Sequence, residues 1–151
     1  MIIFDQLRAG VTTVSAADTQ ALAAGLAGVL PPNATLALHG NLGVGKTTCV
    51  QGLARGFGIT EPGTSPTFNI YTVHRGRPSL REAGRTLLHL DAYRLEGPKQ
   101  VEDLLLEDFL ATPWCLAVEW PENIAGWLPP DALHLDLGIA RDERHTVRLR
   151  M

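Results

Sequence analysis

The run Thr35-Leu-Ala-Leu-His-Gly-Asn-Leu-Gly-Val-Gly-Lys-Thr-Thr48 admits few folds. It reads as an apolar strand, a glycine-rich turn and the first turn of a helix. Gly40, Gly45, Lys46 and Thr47 fill the spacing G-x-x-x-x-G-K-[ST] of a phosphate-binding loop. Gly40, Gly43 and Gly45 reach positive φ and carry no Cβ, so the backbone can curl around an anion with its N–H groups turned inward. Lys46 brings a mobile positive charge to the terminal phosphates. Thr47 offers a hydroxyl to Mg²⁺, and Thr48 can donate to an inner phosphate. The positive end of the following helix dipole faces the same place. With average glycine usage of about 7%, four such positions coincide by chance in roughly one chain of this length in several hundred. Residues 40–48 therefore predict nucleotide binding.

At 151 residues the chain fits one domain, residues 1–151, able to bury about two thirds of its unfolded surface. A net charge of −3 without a Lys/Arg block gives little electrostatic support to nucleic-acid binding by this chain alone. No run of ~18 apolar residues is available to span a membrane, and Met-Ile-Ile-Phe-Asp lacks the form of a secretory signal. Cys49 and Cys115 read as buried thiols; two alone make no zinc set. A cytoplasmic protein is expected.

Along the chain, residues 2–14 are mixed, with a short strand near Val11–Val14. Ser15-Ala-Ala-Asp18 has the form of a helix start, and Leu22, Leu26, Val29 and Leu30 are spaced for one buried face. Alanine and glycine fill the remainder, which predicts close packing of this helix. Pro31-Pro32 stops it. The helix after the phosphate loop runs to about Phe57 with Val50, Leu53, Ala54 and Phe57 inward, and Gly58 ends it. A polar segment bent by two prolines follows, then a strand over Phe68–Val73. Residues 74–85, rich in Arg and Gly, read as an exposed hairpin tip or flexible loop. Thr86–Leu90 is a strand ending on Asp91. Pro98 starts a helix with Val101, Leu104, Leu105, Phe109 and Leu110 inward and an acidic outer face of Glu102, Asp103, Glu107 and Asp108. Trp114–Val118 is a third apolar strand, ending on Glu119. Ala132–Leu137 and Thr146–Arg150 alternate as an antiparallel hairpin at the sheet edge. The fold class is α/β, P-loop NTPase-like, with a mostly parallel central sheet flanked by helices and antiparallel edge strands.

A phosphate loop needs carboxylates at neighbouring strand ends to hold Mg²⁺ and orient water. Asp91 and Glu119 occupy such ends. The Thr64-Ser-Pro-Thr67 segment lies where many P-loop NTPases carry a γ-phosphate switch, although a turn closed by hydroxyl–backbone bonds explains it as well.

Four motifs in order, Leu42-Gly-Val-Gly-Lys-Thr-Thr48, Ser65-Pro-Thr-Phe68, His89-Leu-Asp-Ala-Tyr-Arg-Leu95 and Val118-Glu-Trp-Pro-Glu122, make the chain resemble the bacterial TsaE (YjeE) family. Its members are small ATPases required for threonylcarbamoyladenosine modification of tRNA. The resemblance implies that Gly40, Asn41, Leu42, Gly43, Val44, Gly45, Lys46, Thr47 and Thr48 bind the ATP phosphates. It makes Thr47 and Glu119 the Mg²⁺ ligands, and Lys46 and Asp91 the catalytic pair. Trp120 lies near the nucleotide, and Ser65–Thr67 form a switch-like loop whose Ser65 and Thr67 reach the nucleotide. It also implies work with TsaB and TsaD proteins. There ATP binding and hydrolysis reset the complex, TsaD modifies tRNA, and this chain meets tRNA indirectly, through that complex. Asn41 and Asn123 depart from the family, which commonly has Asp and a basic residue there, and the 74–85 loop is long.

Two other readings share the loop. A small-molecule kinase would need an arginine-rich lid, for which Arg75, Arg77, Arg81 and Arg85 are available. A nucleotide-dependent binding module would make hydrolysis incidental. The five histidines, His39, His74, His89, His134 and His145, are scattered, and core or surface roles suffice for them; a hydrogen bond from His89 near the site is an open alternative.

Overall fold

The computed structural model describes residues 2–59, 70–77 and 84–150. The predicted switch at Ser65–Thr67, the start of the strand predicted from Phe68, and residues 78–83 of the hairpin tip lie outside the described residues.

One sheet organises the chain. In chain order its strands are β1 (Val11–Thr13), β2 (Ala34–His39), β3 (Tyr71–Arg75), β4 (Thr86–Asp91), β5 (Trp114–Glu119), β6 (Leu133–Ile139) and β7 (His145–Leu149). Their spatial order is β1-β7-β6-β2-β5-β4-β3. β6, β2, β5 and β4 run parallel, while β7, β1 and β3 are antiparallel additions. The mostly parallel centre and antiparallel flanks agree with the sequence. The β6–β7 hairpin is not at the sheet edge, however, because β1 pairs with β7 and takes the outer position. Leu36, Ala37, Leu38, Leu87, Leu88 and Leu90 are fully buried, which explains why β2 and β4 read as unbroken apolar runs.

One face is covered by helices α1 (Ile2–Ala9), α2 (Ala16–Ala27) and α3 (Lys46–Gly56). Ser15 caps α2, its hydroxyl accepting from the Asp18 N–H at 3.1 Å, while Asp18 accepts from the Val14 N–H at 3.2 Å. Small residues let α2 and α3 touch backbone to backbone. A Cβ on Gly52 would stand 2.7 Å from the Ala23 Cβ and closer still to the Gln20 carbonyl, and one on Gly56 would stand 2.6 Å from the Ala27 Cβ. Beyond the Phe57 cap of α3, Gly58 at φ +75° turns the chain away, with the Ile59 N–H donating to the Ala54 carbonyl at 2.9 Å.

Three expectations are corrected on the helices. α1 was not foreseen: it is short, yet Leu7 is fully buried and Ile3 and Phe4 pack beside it. Val29, placed on the buried face, is 38% exposed because α2 has already ended at Ala27. The helix α4 (Pro98–Glu102) is only five residues long, and a 3₁₀ turn follows at Leu106–Phe109. Leu105 takes left-handed geometry between them and is 58% exposed, so Leu106 fills the core place that helical spacing gave to Leu105. The acidic residues around it are solvent-facing, as expected. With 3₁₀ turns over Pro121–Trp127, these pieces cover β3, β4 and β5 on the second face.

Both cysteines are buried, and burial pushes each thiol up to about 12, so neither is poised to react.

Candidate functional site

The register sets the site. Leu38 on β2 stands beside Glu119 on β5, and Glu119 stands beside Asp91 on β4. The chain leaves β2 one residue later, at His39, and turns into the Gly40–Gly45 loop. The loop and both carboxylates therefore converge at the carboxyl ends of adjacent parallel strands, where open α/β sheets bind ligands.

The loop has the shape its glycines predict. Gly40, Gly43 and Gly45 have φ of +146°, +83° and +101°. At Gly40 a side chain is excluded, since its Cβ would lie 2.6 Å from both the Leu137 carbonyl oxygen and a Val44 methyl. Gly45 is the N-terminal cap of α3, so Lys46 and Thr47 open the helix. The Lys46 ammonium is buried and folds back on its own loop, donating to the Gly40 carbonyl at 2.6 Å and lying 3.9 Å from the Trp120 ring centre. Burial lowers its pKa below the ordinary lysine value, against the pull of Glu119, Glu122 and Asp91. A desolvated cation beside carboxylates and a ring of glycines is a fitting receptor for a triphosphate and its metal.

A cleft of ≈ 350 Å³ opens between the loop and the strand ends. Leu42, Gly43, Gly45, Lys46, Thr47 and Thr48 form one wall, and Asp91, Glu119 and Trp120 the other. Val44 instead buries its side chain in the core, and Asn41 is exposed at the start of the loop. Thr47 and Glu119, the predicted metal pair, thus share one cleft.

The two carboxylates differ. Asp91 is half-buried, and its Oδ1 accepts from the Tyr93 N–H at 3.0 Å. Glu119 is buried, and its Oε2 accepts from His89 Nε2 at 2.5 Å; His89 itself is 1% exposed. That bond fixes the orientation of Glu119. The strand pattern gave no sign of it, because β4 and β5 must first pair for the two residues to meet. Trp120 has left-handed φ of 56°, unusual for a bulky residue, and stacks at a tilt on Tyr93 with ring centres 5.0 Å apart. Asn123 donates to the carbonyls of Ala92 and Tyr93 at 2.9 and 3.1 Å, tying the 3₁₀ turns to the exit of β4.

Two further side chains belong to this end of the molecule. His145, at the start of β7, lines the cleft, and Tyr93 stands exposed at its rim. Tyr93 stands within the His89–Leu95 motif, which assigned it no role, and the sequence carries no local signal for His145.

Among the described residues the arginine lid is not assembled. β3 is antiparallel to β4 with Arg75 opposite Thr86, at the far end of β4 from Asp91, roughly 16 Å away at ~3.3 Å per residue. Arg85 is anchored there as well, donating to the carbonyls of Leu30, Pro31 and Trp114. Arg77 adjoins this hairpin base, and Arg81 lies outside the described residues. The kinase reading loses its support among the described residues.

Comparison with known proteins agrees with this geometry. The family model described as threonylcarbamoyl adenosine biosynthesis protein TsaE matches residues 13–148. The chain belongs to the TsaE family. The tRNA threonylcarbamoyladenosine biosynthesis protein TsaE of Bacillus subtilis is 34% identical over 135 residues, covering 89% of this chain and 80% of that protein. The TsaE of Streptomyces coelicolor is 43% identical over 111 residues, 73% of this chain and 72% of its own. Among solved structures, Bacillus subtilis YdiB superposes with a TM-score of 0.71 at 31% identity, covering 91% of this chain and 81% of that one. Among the described residues no helix is long and apolar enough to cross a membrane.

Proposed function

We propose that this TsaE-family chain binds Mg-ATP in the cleft and hydrolyses it slowly, in support of threonylcarbamoyladenosine modification of tRNA. It acts in the cytoplasm with TsaB- and TsaD-family partners, which carry the contact with tRNA. The observation that carries this reading is the meeting of the Lys46 ammonium with Asp91 and Glu119 at one sheet end.

The chain's own groups divide the work. Loop amides and Lys46 bind the triphosphate and spread the negative charge that grows on it in the transition state. Thr47 and Glu119 would hold a magnesium ion, which would supply positive charge to the phosphate oxygens. His89 keeps the Glu119 carboxylate turned to that task. Asp91, whose Oδ1 accepts from the Tyr93 N–H, accepts a proton from the attacking water and aligns it. Trp120 and Tyr93 close the mouth beside Lys46.

The test is calorimetric titration of the folded chain with ATP and Mg²⁺, alongside Lys46→Met. Uptake by the native chain and its loss in Lys46→Met are expected. A folded native chain that takes up no nucleotide would overturn the proposal.

A further inference from the structure

We propose that His145 is a positioning residue of the phosphate loop: its imidazole aims a loop amide into the anion cradle. This inference rests on the reading of the cleft as a triphosphate site and adds to it a residue outside the loop motif. His145 opens β7, paired with Ile139 of β6 and Thr13 of β1, and its Nδ1 lies 3.0 Å from the Val44 carbonyl oxygen. The two residues are 101 positions apart in the chain. A carbonyl only accepts, so Nδ1 carries the proton and donates.

The peptide joining Val44 to Gly45 is trans, the cis bond among the described residues being Thr112–Pro113. In a planar trans peptide the C=O and the N–H point in opposite directions. A hydrogen bond that holds the Val44 carbonyl on the His145 side therefore holds the Gly45 N–H on the other. The same bond polarises the amide, which strengthens that N–H as a donor to an anion. Gly45 has φ +101°, where the backbone is least restrained by its own residue, so an outside tether has most to add there. The approach is close, since a Cβ on Gly45 would sit 3.6 Å from His145 Nδ1. His145 also lines the cleft, which places the tether at the ligand's edge.

The experiment compares the native chain with His145→Phe and His145→Ala, which cannot donate, and with His145→Asn, whose amide nitrogen can stand where Nδ1 does. Each is titrated with Mg-ATP and with magnesium tripolyphosphate, a probe lacking the nucleoside, after its ligand-free thermal unfolding has been recorded. One lost hydrogen bond weakens binding by roughly three- to tenfold. That loss is expected for both ligands in the donor-free variants, with recovery in His145→Asn. Native affinity in a donor-free variant overturns the inference. So does a loss confined to ATP, which would place His145 against the nucleoside, or a folded His145→Asn as weak as His145→Ala. A native chain that takes up neither ligand would instead bring down the reading of the cleft itself.

Discussion

The loop wall and the carboxylate wall face one cleft but are fixed by opposite kinds of structure. Gly40–Thr48 is one continuous segment whose conformation is written locally, in three positive-φ glycines and the helix they start. Packing supports it from outside, through α2 on α3 and His145 on Val44. Asp91 and Glu119 come from separate strands and become neighbours only through parallel register. Their settings then diverge, Glu119 clamped by a buried histidine and Asp91 held lightly by a turn. The loop wall is suited to binding, which needs many fixed donors. In the proposed function the other wall handles metal and water, with Glu119 fixed by His89 and Asp91 set by the turn at Tyr93.

Asp91→Ala is the sharpest way to break that division. Removing a positioned acid–base group lowers turnover by ~10²–10⁴. Phosphate release in single turnover should fall by that much, while calorimetric affinity for Mg-ATP stays within about threefold, a difference worth ~0.7 kcal/mol. A parallel loss of affinity would show that the two walls are not separable. His89→Leu comes next. Loss of a partner that orients a metal ligand costs roughly 10–100-fold in metal affinity. The Mg²⁺ concentration needed for half-maximal ATP binding should rise by that factor, and an unchanged magnesium dependence would take His89 out of the site. Gly52→Val attacks the loop wall from behind. Its side chain cannot enter the α2–α3 contact without separating the helices, which costs ~1–3 kcal/mol by overpacking. Ligand-free melting should drop by about 3–10 °C, and an unchanged melting temperature would mean that the helices yield freely.

The same contrast explains what could be read from the sequence. The loop was legible because spacing, glycine chemistry and helix start all act within Gly40–Thr48. Strands β2, β4 and β5 were legible because burial on both faces demands unbroken apolar runs, so Asp91 and Glu119 stood out as the first charges after them. His89 clamping Glu119 and His145 tethering Val44 were not legible, since each depends on which strands become neighbours. Leu105 failed for a different reason. Regular helical spacing continued past Glu102, but the chain switched to left-handed geometry at Leu105 and turned Leu106 inward instead. α1 left a faint pattern in Ile3, Phe4 and Leu7, too short to separate from an irregular start.

The smallest effect is an acid response at the root of the loop wall. His39 lies at the root of the loop, with Nε2 2.8 Å from His134 Nδ1 and Nδ1 3.4 Å from Glu122. Burial lowers its pKa from the ordinary 6.5, with Arg150 and His134 adding to the effect and Asp136 and Glu122 opposing it. The unfolded chain therefore takes up this proton at a higher pH than the folded chain. The stability tied to neutral His39 is complete above pH 6.5 and is lost as pH falls from there through the lower folded value. Asp136 gives a second step. The hydrogen bonds from Arg150, the closest at 2.7 Å, lower its pKa, so its contribution is present above the ordinary carboxylate range and lost as pH falls through the depressed value. The pair is half-exposed, with side chains 49% and 42% accessible, so solvent screening keeps it to ~1 kcal/mol or less. Ligand-free melting followed from neutral to acid pH should fall in these two stages. His39→Gln should flatten the first, and Asp136→Asn should flatten the second while deepening the first, because Asp136 opposes the lowering of the His39 pKa. A first stage that survives His39→Gln would move the acid sensitivity away from the root of the loop.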